Sequence, residues 1–138
     1  MSDAQDQKAA EFRALHEGEA FIIPNPWDAG SAKVLEALGF KALATTSSGF
    51  AFTLGRPDGD TTLDEVVDHI RALDRATSLP VSVDLENGHG PAPEDAASAI
   101  TRALAKGQSL PNTMRSGEAT CVSECTVCGP GASALSYQ

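Results

Sequence analysis

The chain has 138 residues, 41% of them apolar and 5% aromatic, and a net charge of −9 at pH 7. That length suits one domain with a real hydrophobic core. The acidic balance argues against non-specific binding to nucleic acid or to anionic membrane, because either needs a basic patch.

No apolar run approaches the roughly 20 residues of a membrane span, and the N-terminus lacks a basic-then-apolar signal layout. A cytoplasmic location is the expectation. In chain order, Ala4 to His16 sets Ala9, Phe12 and Leu15 on one face and predicts a short helix. Phe21 to Ile23 is an apolar run closed by Pro24 and Pro26, which predicts a buried strand. Asp28 then caps a helix carrying Ala32, Leu35 and Leu38, with Gly39 as its stop. Lys41 to Thr46 predicts a second strand, ending in a polar run, Thr45 to Gly49, that reads as a turn.

A loop from Leu54 to Asp60 follows. Thr62 and Glu65 have the spacing of a capping box, in which hydroxyl and carboxylate satisfy each other's free N–H groups. Behind it Leu63, Val66, Val67, Ile70 and Leu73 keep helical spacing. A strand over Val81 to Glu86 comes next. Pro93, Glu94 and Asp95 open another helix, with proline at the first position and acids in the first turn. Strand and helix thus alternate three times, which predicts parallel strands joined by right-handed crossovers. A doubly wound sheet and a (β/α)8 barrel both fit that order. Neither a GxGxxG fingerprint nor a GxxxxGK[ST] loop is present, which weakens a nucleotide-binding reading.

Composition divides the chain at about Lys106, giving segments 1–106 and 107–138. Residues 107–138 hold five Ser, three Thr, four Gly and all three cysteines, with three charged residues. No period persists there, so the segment is expected to be an irregular tail. Cys121, Cys125 and Cys128 match a CxxxCxxC spacing used by some iron–sulfur enzymes, but that motif belongs ahead of a barrel rather than after three units of one.

The chemistry concentrates at the end of the third strand. In Val81 to Glu86, Val81, Val83 and Leu85 share one face, while Ser82, Asp84 and Glu86 share the other. Inward carboxylates at the C-terminal end of a barrel strand sit where barrel enzymes work. Two hard oxygen donors suit Mg²⁺, which takes one or two carboxylates and keeps several waters. Gly88 and Gly90 are expected to let backbone approach a ligand. The same alternation fits a strand with one solvated face, where the acids carry no function. Asp28, Asp58 and the Thr46 to Gly49 run would collect at the same end, although each also reads singly as a cap or turn.

These blocks together resemble the isocitrate lyase/phosphoenolpyruvate mutase superfamily over about residues 12–104. The matching stretches are Asn25-Pro-Trp-Asp-Ala-Gly-Ser-Ala32, Gly39-Phe-Lys-Ala-Leu-Ala-Thr-Thr-Ser-Ser-Gly49, Leu54-Gly-Arg-Pro-Asp58, Leu79-Pro-Val-Ser-Val-Asp84 and Glu86-Asn-Gly-His-Gly90. The resemblance implies a (β/α)8 TIM barrel with an essential Mg²⁺ at its C-terminal mouth. Substrates would be small 2-oxo acids, hydroxy acids or phosphonates, whose C–C or P–C bond breaks or rearranges through an enolate-like species. It places Asp84 on the main metal-binding acid, and Glu86 on a second acid position where Asp is common. Thr46, Ser47 and Ser48 fall on the segment that grips the substrate carboxylate, and Asp58, the candidate catalytic residue, on the gating loop. His89 replaces a common aromatic residue and reads as structural. Full-length relatives are expected to be homo-oligomers.

The pattern should continue with an apolar strand ending in another metal-binding acid, and in lyases with a Lys-Lys-Cys-Gly loop; neither follows residue 104. The expectation is therefore an incomplete barrel of about three N-terminal βα units followed by an unrelated, frameshifted tail. The alternative to an active enzyme is an inactive fragment that self-associates or aggregates through unpaired strand edges.

Overall fold

The computed structural model describes residues 3–104 and 126–128. Helix α1 (Asp3–Leu15) buries Ala9 and Phe12, and Phe12 joins Ile23 and Ala42 in one apolar cluster. Strand β1 (Phe21–Ile23) leads through Pro24 and Pro26 into helix α2 (Ala29–Ala37). Asp28 caps α2 as its side chain predicts: Ser31 N–H donates to Asp28 Oδ1 at 2.7 Å, and Asp28 N–H donates back to Ser31 Oγ at 3.1 Å. The two bonds satisfy one free N–H each, an arrangement that contributes about 1 kcal/mol.

Strand β2 (Leu43–Ala44) and strand β3 (Val81–Ser82) pair in parallel, Leu43 against Val81 and Ala44 against Ser82. The pairing extends at both ends, with Leu43 N–H donating to Pro80 O at 3.0 Å and Thr45 N–H to Ser82 O at 2.9 Å. The exit of β1 lies alongside: Ala44 N–H donates to Pro24 O at 3.1 Å, and Asn25 Nδ2 to Ala44 O at 3.0 Å. A parallel pair needs a crossover, and here helix α3 (Ser47–Thr53) and helix α4 (Leu63–Ala76) supply it. Helix α5 (Pro93–Leu104) follows β3.

Helix α4 carries most of the core. Ile70 and Leu73 are fully buried, each contributing about 1.5–3 kcal/mol by apolar burial. Ile70 and Val66 pack with Phe50, Leu85, Ala99 and Ala103, tying α3 and α5 to α4. Leu73 packs with Ala32, Leu43 and Val81, tying α2 to the parallel pair. The Thr62–Glu65 capping box forms, with Thr62 N–H donating to Glu65 Oε2 at 2.8 Å and Glu65 N–H to Thr62 Oγ1 at 3.3 Å.

The architecture is α/β, with three strand–helix steps in the predicted order. The described strands do not close a barrel. Four local expectations are revised. The strands expected over Lys41 to Thr46 and Val81 to Glu86 shrink to two residues each, and past their C-terminal ends Asp84 N–H meets the Thr45 hydroxyl instead of a backbone carbonyl. The Thr45 to Gly49 run is not a plain turn. Thr46 caps α3, its Oγ1 accepting from Gly49 N–H at 3.3 Å, so the small polar residues form the first turn of a helix. Within the segment expected to be irregular, Thr126–Cys128 forms strand β4, antiparallel to β1 with Ile22 opposite Val127. Of the three cysteines, Cys121 and Cys125 lie outside the described residues, as does the proposed break near Lys106.

Candidate functional site

Asp84 sits just past the end of β3 and is held from three sides. Its Oδ2 accepts from Ser47 N–H at 3.1 Å, its Oδ1 accepts from Glu86 N–H at 2.9 Å, and its own N–H donates to Thr45 Oγ1 at 2.8 Å. Thr45 is 4% exposed, so its hydroxyl is a fixed partner. Two amide bonds to one carboxylate are charge-assisted, worth about 1.5–3 kcal/mol each. They fix the first turn of α3 against the end of β3. They also end the strand, since a hydroxyl rather than a neighbouring carbonyl takes the Asp84 N–H.

The chain then turns sharply. Glu86 and His89 both adopt left-handed backbone, φ 51° and 59°. Such conformations cost non-glycine residues energy and collect at functional sites. The turn also removes Glu86 from the simple alternation that the sequence predicts. Its carboxyl is half-buried, and Oε1 is buried without a hydrogen-bond partner. Burial pushes the Glu86 carboxyl up from its usual range; the His89 charge opposes this, and the nearby Asp58 and Asp84 carboxylates add to the rise. Asp58 therefore lies close enough to act on Glu86, although its loop is exposed and its own Oδ1 accepts from Gly59 N–H at 3.1 Å. Arg56, two residues before Asp58, pins the loop to α4, its Nη1 donating to Glu65 Oε1 at 3.0 Å and to Asp60 O at 3.3 Å.

Thr46, Ser47 and Ser48 lie beside Asp84 at the start of α3. The Ser47 amide is committed to Asp84 and the Thr46 oxygen to the Gly49 amide. The Ser47 and Ser48 hydroxyls make no hydrogen bond among the described residues. Trp27 packs close to this turn, so that a Cβ at Gly49 would meet its Cδ1 at 2.5 Å and its Nε1 at 2.6 Å, and it stacks on Phe52 with centroids 6.2 Å apart.

One expectation is corrected. Gly88 and Gly90 are close to α5 rather than open to a ligand. A Cβ on Gly88 would meet Ala96 Cα at 2.5 Å, and one on Gly90 would meet the Asp95 side chain at 2.2 Å. His69 escapes the sequence reading, and His89, read there as structural, carries a polar feature that reading did not foresee. His89 has a buried Nε2 with no partner, and His69 of α4 has the same. His69 stacks on Phe50, centroids 4.0 Å and planes 12° apart, and burial pushes its pKa down to about 4 against the pull of Asp28. Its helical spacing beside Ile70 gave no sign of a special role. Among the described residues, no three His, Cys, Asp or Glu side chains gather into a metal cage. No helix among them is long and apolar enough to cross a membrane.

Known proteins resemble the chain in sequence and in fold. The 2-methylisocitrate lyase of Halalkalibacterium halodurans is 40% identical over 89 residues, covering 63% of this chain and 30% of the lyase. A candidate lyase/mutase from Burkholderia cenocepacia J2315 superposes with a TM-score of 0.74 at 53% identity, covering 77% of this chain and 39% of that one. A candidate phosphonomutase from the same organism gives a TM-score of 0.67 at 40% identity, covering 74% and 42%. The chain thus spans about a third of the length of the curated relatives it matches. The model of the phosphoenolpyruvate phosphomutase family matches residues 12–112, and the chain belongs to that family.

Proposed function

We propose that this chain carries the N-terminal part of the active site of a divalent-metal-dependent lyase or mutase. Its substrates are small 2-oxo acids, hydroxy acids or phosphonates, and its strands are the first units of a (β/α)8 barrel. The observation that carries the reading is the strained strand end. Asp84 is fixed by two amides, while Glu86 beside it keeps a buried, unpartnered oxygen under the like charges of Asp58 and Asp84.

A divalent cation fits this donor set. Two hard carboxylates with water filling the remaining positions match Mg²⁺, and a cation would offset the repulsion that raises the Glu86 carboxyl. Asp84 and Glu86 would hold the ion. When bound, it supplies Lewis-acid polarisation of the acid's oxygens and stabilises developing enolate charge.

The remaining roles belong to the chain itself. The Ser47 and Ser48 hydroxyls donate to the substrate carboxylate, with Thr46 setting the helix turn that presents them. Asp58 acts from its loop over the same end of the sheet and receives or returns a proton there.

Oxalate tests this reading, because its planar, vicinal oxygens imitate the enolate of a 2-oxo acid. Calorimetry of the purified chain is expected to show oxalate binding with Mg²⁺ present and none without it. Asp84→Asn is expected to abolish the Mg²⁺ dependence. Equal oxalate binding with and without Mg²⁺ would refute the assignment.

A further inference from the structure

His69 is a buried titratable group outside the carboxylate site, and the roles assigned above do not use it. Its ring lies flat on that of Phe50 in α3, centroids 4.0 Å apart. Phe50 is itself buried, packing with Val66, Ile70 and Leu85, and its N–H donates to Thr46 O at 3.1 Å as the first bond of α3. One turn earlier, the Ser47 amide meets Asp84 Oδ2. A short mechanical path therefore runs from the His69 ring to Phe50, to the first turn of α3, and to Asp84.

Helix α3 needs that support. At seven residues it is too short to hold itself together in water, so packing must fix its position. The imidazole Nε2 is buried with no hydrogen-bond partner, so the ring acts on its surroundings through its flat face against Phe50. Burial keeps the ring neutral, and the Asp28 carboxylate at the α2 cap is the charge that acts on it from the packed elements. A neutral, flat ring is what stacks against Phe50.

We propose that His69 is a positioning residue for the carboxylate site: stacked behind Phe50, it fixes the first turn of α3 so that the Ser47 amide meets Asp84. The proposal rests on the reading of Asp84 as a metal-holding group.

Mn²⁺ is the probe, with free ion counted by electron paramagnetic resonance on the full chain. His69→Ala is expected to weaken Mn²⁺ binding about tenfold, the lower end of losses seen when a ligand's supporting partner is removed. His69→Phe, which restores a flat ring, should recover the affinity to within about twofold of the original. Val67→Ala, at another buried position of α4, should lower stability and leave the affinity unchanged. His69→Leu fills the space without a flat ring, and keeps the test sharp if the alanine variant fails to fold. It should bind as weakly as His69→Ala. Unchanged affinity in His69→Leu or His69→Ala overturns the positioning role and leaves the carboxylate site standing. Absence of Mn²⁺ binding in the unaltered chain overturns the carboxylate site and this role with it.

Discussion

Replacing Gly88 by alanine is expected to destabilise the fold by about 2–5 kcal/mol, while the same change at Gly59 costs only about 1–2 kcal/mol. Both glycines have left-handed backbone, φ 86° and 80°, so alanine pays a similar conformational penalty of about 1–2 kcal/mol at each. They differ in surroundings. A Cβ at Gly88 would lie 2.5 Å from Ala96 Cα, 2.6 Å from its Cβ and 3.0 Å from its N, whereas at Gly59 nothing lies within 4 Å. The obstacle at Gly88 is helix backbone, which cannot swing aside as a long side chain can. Overpacking of this kind adds about 1–3 kcal/mol. Urea unfolding of both variants, followed by far-UV circular dichroism, gives the comparison. Equal losses at the two positions would refute the close approach of α5 to the Glu86–Gly90 turn. Loss of oxalate binding in Gly88→Ala without loss of stability would restore a ligand-facing role for that glycine.

Thr62→Ala should cost about 1 kcal/mol in the same assay, because it removes one half of the capping box that starts α4. The Glu86 carboxyl predicts a pH effect. Its folded pKa is raised, so the folded chain holds that proton more tightly than the unfolded chain does. Its contribution to stability therefore falls as pH rises from about the ordinary carboxylate value of 4.5. Glu86→Gln should flatten that fall and be the more stable chain at neutral pH, which unfolding at a series of pH values measures. An unaltered slope would show that the carboxyl is not buried under like charge. Added Mg²⁺ should stabilise the original chain and leave Glu86→Gln less affected, because the cation has lost one of its two charged partners.

The elements legible in the sequence were those written in local chemistry. Asp28, and Thr62 with Glu65, announce helix starts because capping is a local affair; the return bond from Asp28 N–H to Ser31 is added by the structure. The apolar spacing from Leu63 to Leu73 reads directly as the buried face of α4. The end of β3 was half legible. Alternation set Asp84 at the end of β3 on the face opposite Leu85, but it could not foresee that Asp84 would bond the amide of its near neighbour Glu86 and that the chain would turn left-handed there. The α3 helix was hidden for a related reason. Thr46 to Gly49 is rich in residues that serve turns and helix caps equally, and the deciding bond, from Ser47 to Asp84, joins positions 37 residues apart. The roles of Gly88 and His69 depend on α5 and Phe50 as neighbours, and no local pattern encodes those contacts.

Mn²⁺ titration of the unaltered chain, Asp84→Asn and Glu86→Gln tests the central claim most directly. The account predicts binding to the unaltered chain, weakened at least about tenfold by either substitution. Removal of the exposed Thr101 hydroxyl on α5 by Thr101→Ala should leave that affinity unchanged. Mn²⁺ binding that survives both carboxylate substitutions at full strength would contradict the account.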